Sequence, residues 1–131
     1  MEVGKEIKIS KTITEADVKK LVEISGDENP IHLDEEFAKR TIFKRKLAHG
    51  LLSLGVISAA LTKLFGPGNL WLDHSFTFKK PIHIGDMITA KLKILSVDKR
   101  KVFTVETLVY NQNNELVLDG KATSKVFPVR K

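Results

Sequence analysis

Apolar and polar side chains alternate through residues 5–12 (Lys-Glu-Ile-Lys-Ile-Ser-Lys-Thr), a period of two that predicts a strand. The period then changes. Thr14 and Asp17 resemble a capping box, with Asp where Glu is usual. Val18, Leu21, Val22 and Ser25 follow at helical spacing, and Gly26 is a natural stop for that helix. Residues 34–39 predict another short helical turn, and residues 40–47 are basic and irregular. From 48 to 65 the chain is apolar on nearly all sides, the pattern of a helix buried all round. Gly50, Ser53, Gly55, Ser58, Ala59 and Ala60 keep it thin. An interior glycine costs a helix about 1 kcal/mol, so two of them predict close backbone packing. Gly66-Pro67-Gly68 ends the segment.

Only strand signals follow. Leu70, Leu72, His74, Phe76 and Phe78 alternate with Trp71, Asp73, Ser75 and Thr77. Residues 81–86 form a turn-rich connection. Ile88, Ala90, Leu92 and Ile94 share one face of the next strand. Turns at 98–100 and 111–114 separate it from strands at 102–110 and 116–127. Loops of hairpin length pair these strands antiparallel. The sum is an α+β chain, one domain over residues 1–131, with an antiparallel sheet wrapped around a long central apolar helix. That architecture is called a hot-dog fold. Trp71 and the phenylalanines are most simply core residues.

Composition narrows the chemistry. There is no cysteine, which excludes disulfides, thiolate metal sites and a cysteine nucleophile, and which fits a reducing cytoplasm. The first residues lack the basic-then-apolar pattern of a signal peptide. The longest apolar stretch carries His49, Ser53, Ser58, Thr62 and Lys63, so it reads as a core helix and not a membrane span. A net charge of +6 attracts anions of many kinds, nucleic acid and phosphate-bearing cofactors such as coenzyme A among them. The basic clusters at 39–40, 44–46, 79–80 and 99–101 are not interleaved with aromatic residues, which argues against nucleic-acid binding.

The chemistry concentrates in Ser25-Gly26-Asp27-Glu28-Asn29-Pro30-Ile31-His32-Leu33-Asp34. Asp27 stands five positions before His32, and Asn29-Pro30 stiffens the chain between them. A carboxylate and an imidazole held together can share one water and move protons at neutral pH. His49-Gly50 opens the apolar helix, where a helix N-terminus can hold an oxyanion. Each piece also has a plainer reading. Asp, Asn and Pro favour turns for local reasons. His49 by itself reads as a hydrogen-bonded structural histidine, Asp34 as a helix cap, and His74 and His83 as structural or surface residues. His32, Asp34 and His49 lack any recognised metal-ligand spacing, so no metal site is expected. Ser53 and Ser58 lack the turn of a serine hydrolase.

Taken together, Asp27-x-Asn29-Pro30-x-His32-x-Asp34, Ala48-His49-Gly50-Leu51-Leu52 and Pro81-x-x-x-Gly85-Asp86 resemble the MaoC-like (R)-specific enoyl-CoA hydratases, over about residues 13–126. The resemblance implies reversible addition of water to a trans-2-enoyl-CoA, giving the (R)-3-hydroxyacyl-CoA. Asp27 and His32 would be the catalytic pair. In one division of roles Asp27 takes a proton from water and His32 supplies the C2 proton. Gly50 would offer its backbone N–H to the thioester oxygen and Asn29 would hold the loop. His49 and Ser58 would join the substrate-binding group. No cofactor is implied, because the coenzyme A thioester is itself the substrate. The family acts as homodimers or paired domains, so this chain is expected to form a homodimer. Two other readings stay open: a (3R)-hydroxyacyl-acyl-carrier-protein dehydratase using the same residues, and a non-catalytic acyl-CoA-binding module.

Overall fold

In a computed structural model describing residues 2–130, the period-two segments form one five-stranded antiparallel sheet. The elements run β1 (Glu6–Thr12), α1 (Glu15–Ser25), α2 (Pro30–Leu33), α3 (Glu35–Lys39), β2 (Leu47–Ala48), α4 (Leu51–Phe65), β3 (Asn69–Phe78), β4 (Ile82–His83), β5 (Met87–Val97), β6 (Phe103–Tyr110) and β7 (Leu116–Val126). Sheet order is β1-β5-β6-β7-β3, and β2 pairs with β4 in a separate two-residue ladder. The predicted capping box is present, and Gly26 takes the left-handed conformation at φ 75° that ends α1.

The core lies between α4 and the concave face of the sheet. Ile88, Ala90, Leu92 and Ile94 of β5 are fully buried, as are Val105 and Val109 of β6 and Leu118 and Ala122 of β7. Val56, Ile57, Ala60, Leu61 and Leu64 of α4 meet them. This is the hot-dog arrangement. Among the described residues, no helix is long and apolar enough to cross a membrane.

Four expectations need correction. The helix begins at Leu51 and not at Ala48, because Leu47 and Ala48 are drawn into the ladder with β4. Nor is α4 buried all round: Leu51, Gly55, Ser58, Ala59 and Thr62 are exposed, and a Cβ at Gly55 would meet nothing. A helix lying on one sheet face has a second flank that this chain does not cover. Finally, β3 does not keep one alternation throughout. Its register slips between Trp71 and Asp73, so Leu72 is an extra residue and the face changes there. Trp71, His74, Phe76 and Phe78 pair with Ser124, Ala122, Gly120 and Leu118, whose side of β7 is buried, while Leu70 and Leu72 are exposed. Phe76 and Phe78 are also exposed, as are Phe43 and Phe127, so these phenylalanines are not core. The reason is placement: α4 packs chiefly on β1 and β5 and covers β3 less.

Replacing Ile57 with Ala removes three buried carbons from the helix–sheet contact. Urea denaturation should show a loss of about 2–5 kcal/mol with little change in far-ultraviolet circular dichroism.

Candidate active site

Short-range hydrogen bonds shape the loop after α1. The Asp27 N–H donates to Ser25 Oγ at 3.1 Å, and Asp27 Oδ1 accepts from the Asn29 N–H at 3.2 Å. The Asn29 side chain in turn accepts from the Ile31 N–H at 3.2 Å and caps α2, with Pro30 at its first position. Asn and Asp favour these turns because their short side chains reach backbone two residues on, and Pro is already set for a first helical turn. The single turn of α2, which sequence reading missed as a helix, is what aims His32. Asn29 before a proline was the available signal. Asp34 closes α2 and caps α3 by accepting from the Phe37 N–H, the capping role expected of it.

Two contacts fix the imidazoles. His32 Nδ1 lies 2.7 Å from the Leu47 carbonyl oxygen. A carbonyl only accepts, so Nδ1 carries the hydrogen and Nε2 is left with its lone pair. His49 is 4% exposed, and its Nε2 lies 3.3 Å from the Asp27 carbonyl oxygen and 3.7 Å from Asp27 Oδ2. By the same argument His49 Nε2 donates. The two rings stack with centroids 3.7 Å apart. His49 therefore ties the Asp27 backbone to the face of the His32 ring. Burial pushes the His32 pKa below its ordinary value; the Leu47 carbonyl opposes this, His49 adds to it, and the Asp27 carboxylate opposes it.

One nitrogen or oxygen each from Asp27, His32 and His49 lies within 4.8 Å of the others. That spacing alone would admit a metal ion. Of the four ring nitrogens, His32 Nδ1 and His49 Nε2 already face backbone carbonyl oxygens.

Gly50 caps α4, and its N–H donates to no protein acceptor among the described residues. A Cβ there would sit 2.8 Å from the Phe78 ring. Gly50 and His32 line one cleft of about 390 Å³, with Phe43, Leu47, Phe78, Lys79, Pro81 and Ile82 around them. Asp27, Asn29, His32, His49 and Gly50 are thus gathered at the start of α4. Ser58 is not: it is exposed on α4, eight residues or roughly 12 Å beyond Gly50. The Leu47 carbonyl and the Phe78 wall had no signal in the sequence, since neither is a reactive side chain. A second groove of about 370 Å³ between α1, β1 and α4 contains none of the gathered residues.

Comparison with known proteins gives consistent matches. Residues 2–116 match the MaoC like domain family. An (R)-specific enoyl-CoA hydratase of Rhodospirillum rubrum is 38% identical over 124 residues, covering 94% of this chain and 86% of that protein. A 3-hydroxybutyryl-CoA dehydratase of Methylorubrum extorquens is 39% identical over 127 residues, covering 96% and 81%. Among solved structures, the (R)-hydratase from A. caviae involved in PHA biosynthesis superposes with a TM-score of 0.93 at 34% identity, covering 97% of this chain and 98% of that one.

A depressed histidine pKa has a definite sign in stability. The unfolded chain binds the proton more readily, so His32 opposes folding once it is charged. Its contribution is intact above its ordinary pKa of 6.5 and is lost as pH falls below that value. His74 and His83, lowered chiefly by burial, act in the same sense. Proton NMR should find the His32 ring titrating below 6.5, and unfolding free energy should decline as pH drops from about 7 to about 5.

Proposed function

The chain belongs to the MaoC-like family, and from that premise we propose that its cleft adds water reversibly to trans-2-enoyl-CoA, giving (R)-3-hydroxyacyl-CoA. The observation that carries this reading is the spacing of Asp27 and His32. Two groups that each hydrogen-bond one water at about 2.8 Å and a tetrahedral angle stand about 4.6 Å apart. Atoms of this pair fall within 4.8 Å, and the unpaired Gly50 N–H lines the same cleft as His32.

In the proposed step, Asp27 and His32 Nε2 hold the water. Its oxygen bonds to C3, one of its protons passes to His32 Nε2, and the C2–C3 π pair moves on to the thioester as an enolate. The Gly50 N–H receives the enolate oxygen at the start of α4, where the helix dipole favours negative charge. The enolate then takes the proton back from His32 at C2, and both additions occur on one face. The Nδ1–H tautomer supports His32 as the group that takes the proton from water, because Nε2 is then an acceptor. Burial that keeps the ring neutral near pH 7 supports the same assignment. Asp27 then orients the water, and Asn29 and His49 hold the pair in place. The scheme needs no cofactor beyond the thioester. The cysteine-free chain and the bacterial relatives support a cytoplasmic setting.

A homodimer belongs to this proposal. β1, one sheet edge, carries Glu6, Lys8 and Lys11, charges that discourage pairing. β3, the other edge, is ten residues long with one charged residue, Asp73. Leu70 and Leu72 on one face of that strand, and Phe76 and Phe78 on the other, are exposed there. A second copy laid along β3 would bury these side chains and continue the sheet.

Asp27→Asn and His32→Ala should each lower kcat on crotonyl-CoA by at least about 100-fold, read from the enoyl-thioester absorbance, with circular dichroism unchanged. Near-normal turnover in either variant would rule out the assigned pair. For the assembly, sedimentation velocity should report a dimer for the wild type and monomers for Leu70→Lys combined with Leu72→Lys.

A further inference from the structure

Resting on the hydratase reading, a second question is what holds the carrier end of the substrate. A thioester with its carbonyl at Gly50 must lead its pantetheine arm out of the cleft toward solvent, where the carrier's phosphates would meet the rim. The rim is basic: Lys79 and Lys80 line the cleft together with His32, Gly50 and the aromatic walls Phe43 and Phe78. The Phe78 ring lies against Gly50, and Lys79 is the next residue along the chain.

The cations of this chain are not equivalent. Lys80 is paired with Glu115 at 2.7 Å, Lys46 with Glu15, and Lys39 with Glu36 at 3.4 Å. The Arg40 guanidinium lies over the Phe37 ring. Among the described residues, no carboxylate stands within ion-pair reach of Lys79, Lys44 or Arg45, and of these three Lys79 alone lines the cleft. The cluster at Lys99, Arg100 and Lys101 lies at the other end of the sheet. Phe78 aligns through Leu118 and Val109 with Ala90 at the start of β5, whereas Val97 at the far end of β5 aligns through Phe103 and Ser124 with Trp71. Six ladder steps separate these levels, roughly 20 Å.

We propose that Lys79 binds a phosphate of the coenzyme A carrier at the rim of the cleft, and so sets carrier affinity without taking part in the proton transfers. An unpaired ammonium at a solvent-facing rim is suited to this. It has no carboxylate to give up, and it attracts phosphate over distances that salt screens.

The test compares crotonyl-CoA with crotonyl-pantetheine, which keeps the acyl group and the arm and lacks the phosphates. Lys79→Glu should raise KM for crotonyl-CoA about tenfold more than KM for crotonyl-pantetheine, and added salt should weaken the wild-type preference for crotonyl-CoA. Lys99→Glu, at the far turn, should leave that preference intact. Equal effects of Lys79→Glu on both thioesters, or an equal effect from Lys99→Glu, would overturn the assignment. If the wild type turns over neither thioester, the hydratase reading fails. Calorimetric titration with free coenzyme A then decides the Lys79 assignment alone: weaker binding in Lys79→Glu supports it, and unchanged binding overturns it.

Discussion

Burial of one face of α4 against β1 and β5 is the contact on which the rest of this molecule depends. It brings Val56, Ile57, Ala60, Leu61 and Leu64 onto a sheet face whose facing side chains are almost wholly withdrawn from water. Each Å² of apolar surface withdrawn from water there contributes roughly 25 cal/mol. It also sets the position of the helix N-terminus. Gly50 and His49 sit where they do because α4 is held by the sheet behind them, and β2 is held by β4 immediately before.

The site at that N-terminus combines one rigid element with one built from local turns. The helix supplies a backbone donor with no competing acceptor among the described residues. The loop after α1 supplies Asp27 and His32, each fixed by bonds that span two or three residues and then by one long-range partner. For His32 the partner is the Leu47 carbonyl, and for Asp27 it is His49. The long-range bonds decide chemistry as well as position. A carbonyl acceptor selects the tautomer, and the tautomer leaves Nε2 of His32 as the acceptor. Stacking His49 on His32 then adds electrostatic resistance to protonation of the second ring, in the same direction as burial.

The uncovered surfaces follow from the same arrangement. Because α4 sits chiefly over β1 and β5, Phe76 and Phe78 at the end of β3 and the outer flank of α4 stay exposed to solvent. A β-bulge at Leu72 places Leu70 and Leu72 on the other side of the strand. The result is an unprotected edge with apolar side chains on both faces, close to the walls of the cleft. A surface of this kind is either covered by another chain or prone to uncontrolled association.

Much of this was legible in the sequence, because it depends on short-range pattern and side-chain chemistry. Period-two alternation marks the strands, and a capping box with a terminal glycine marks α1. The Asp27-to-Asp34 segment carries its turn chemistry and its reactive groups within eight residues. What the tertiary structure alone decided involves groups that sequence periodicity does not register. The Leu47 carbonyl that orients His32 belongs to an apolar residue fifteen positions away. The bulge in β3 reverses a face without any break in the alternating pattern, since an extra residue leaves composition unchanged. The exposure of one flank of α4 was equally hidden. An apolar helix looks the same in sequence whether its second flank meets its own sheet or waits for a surface that another molecule provides.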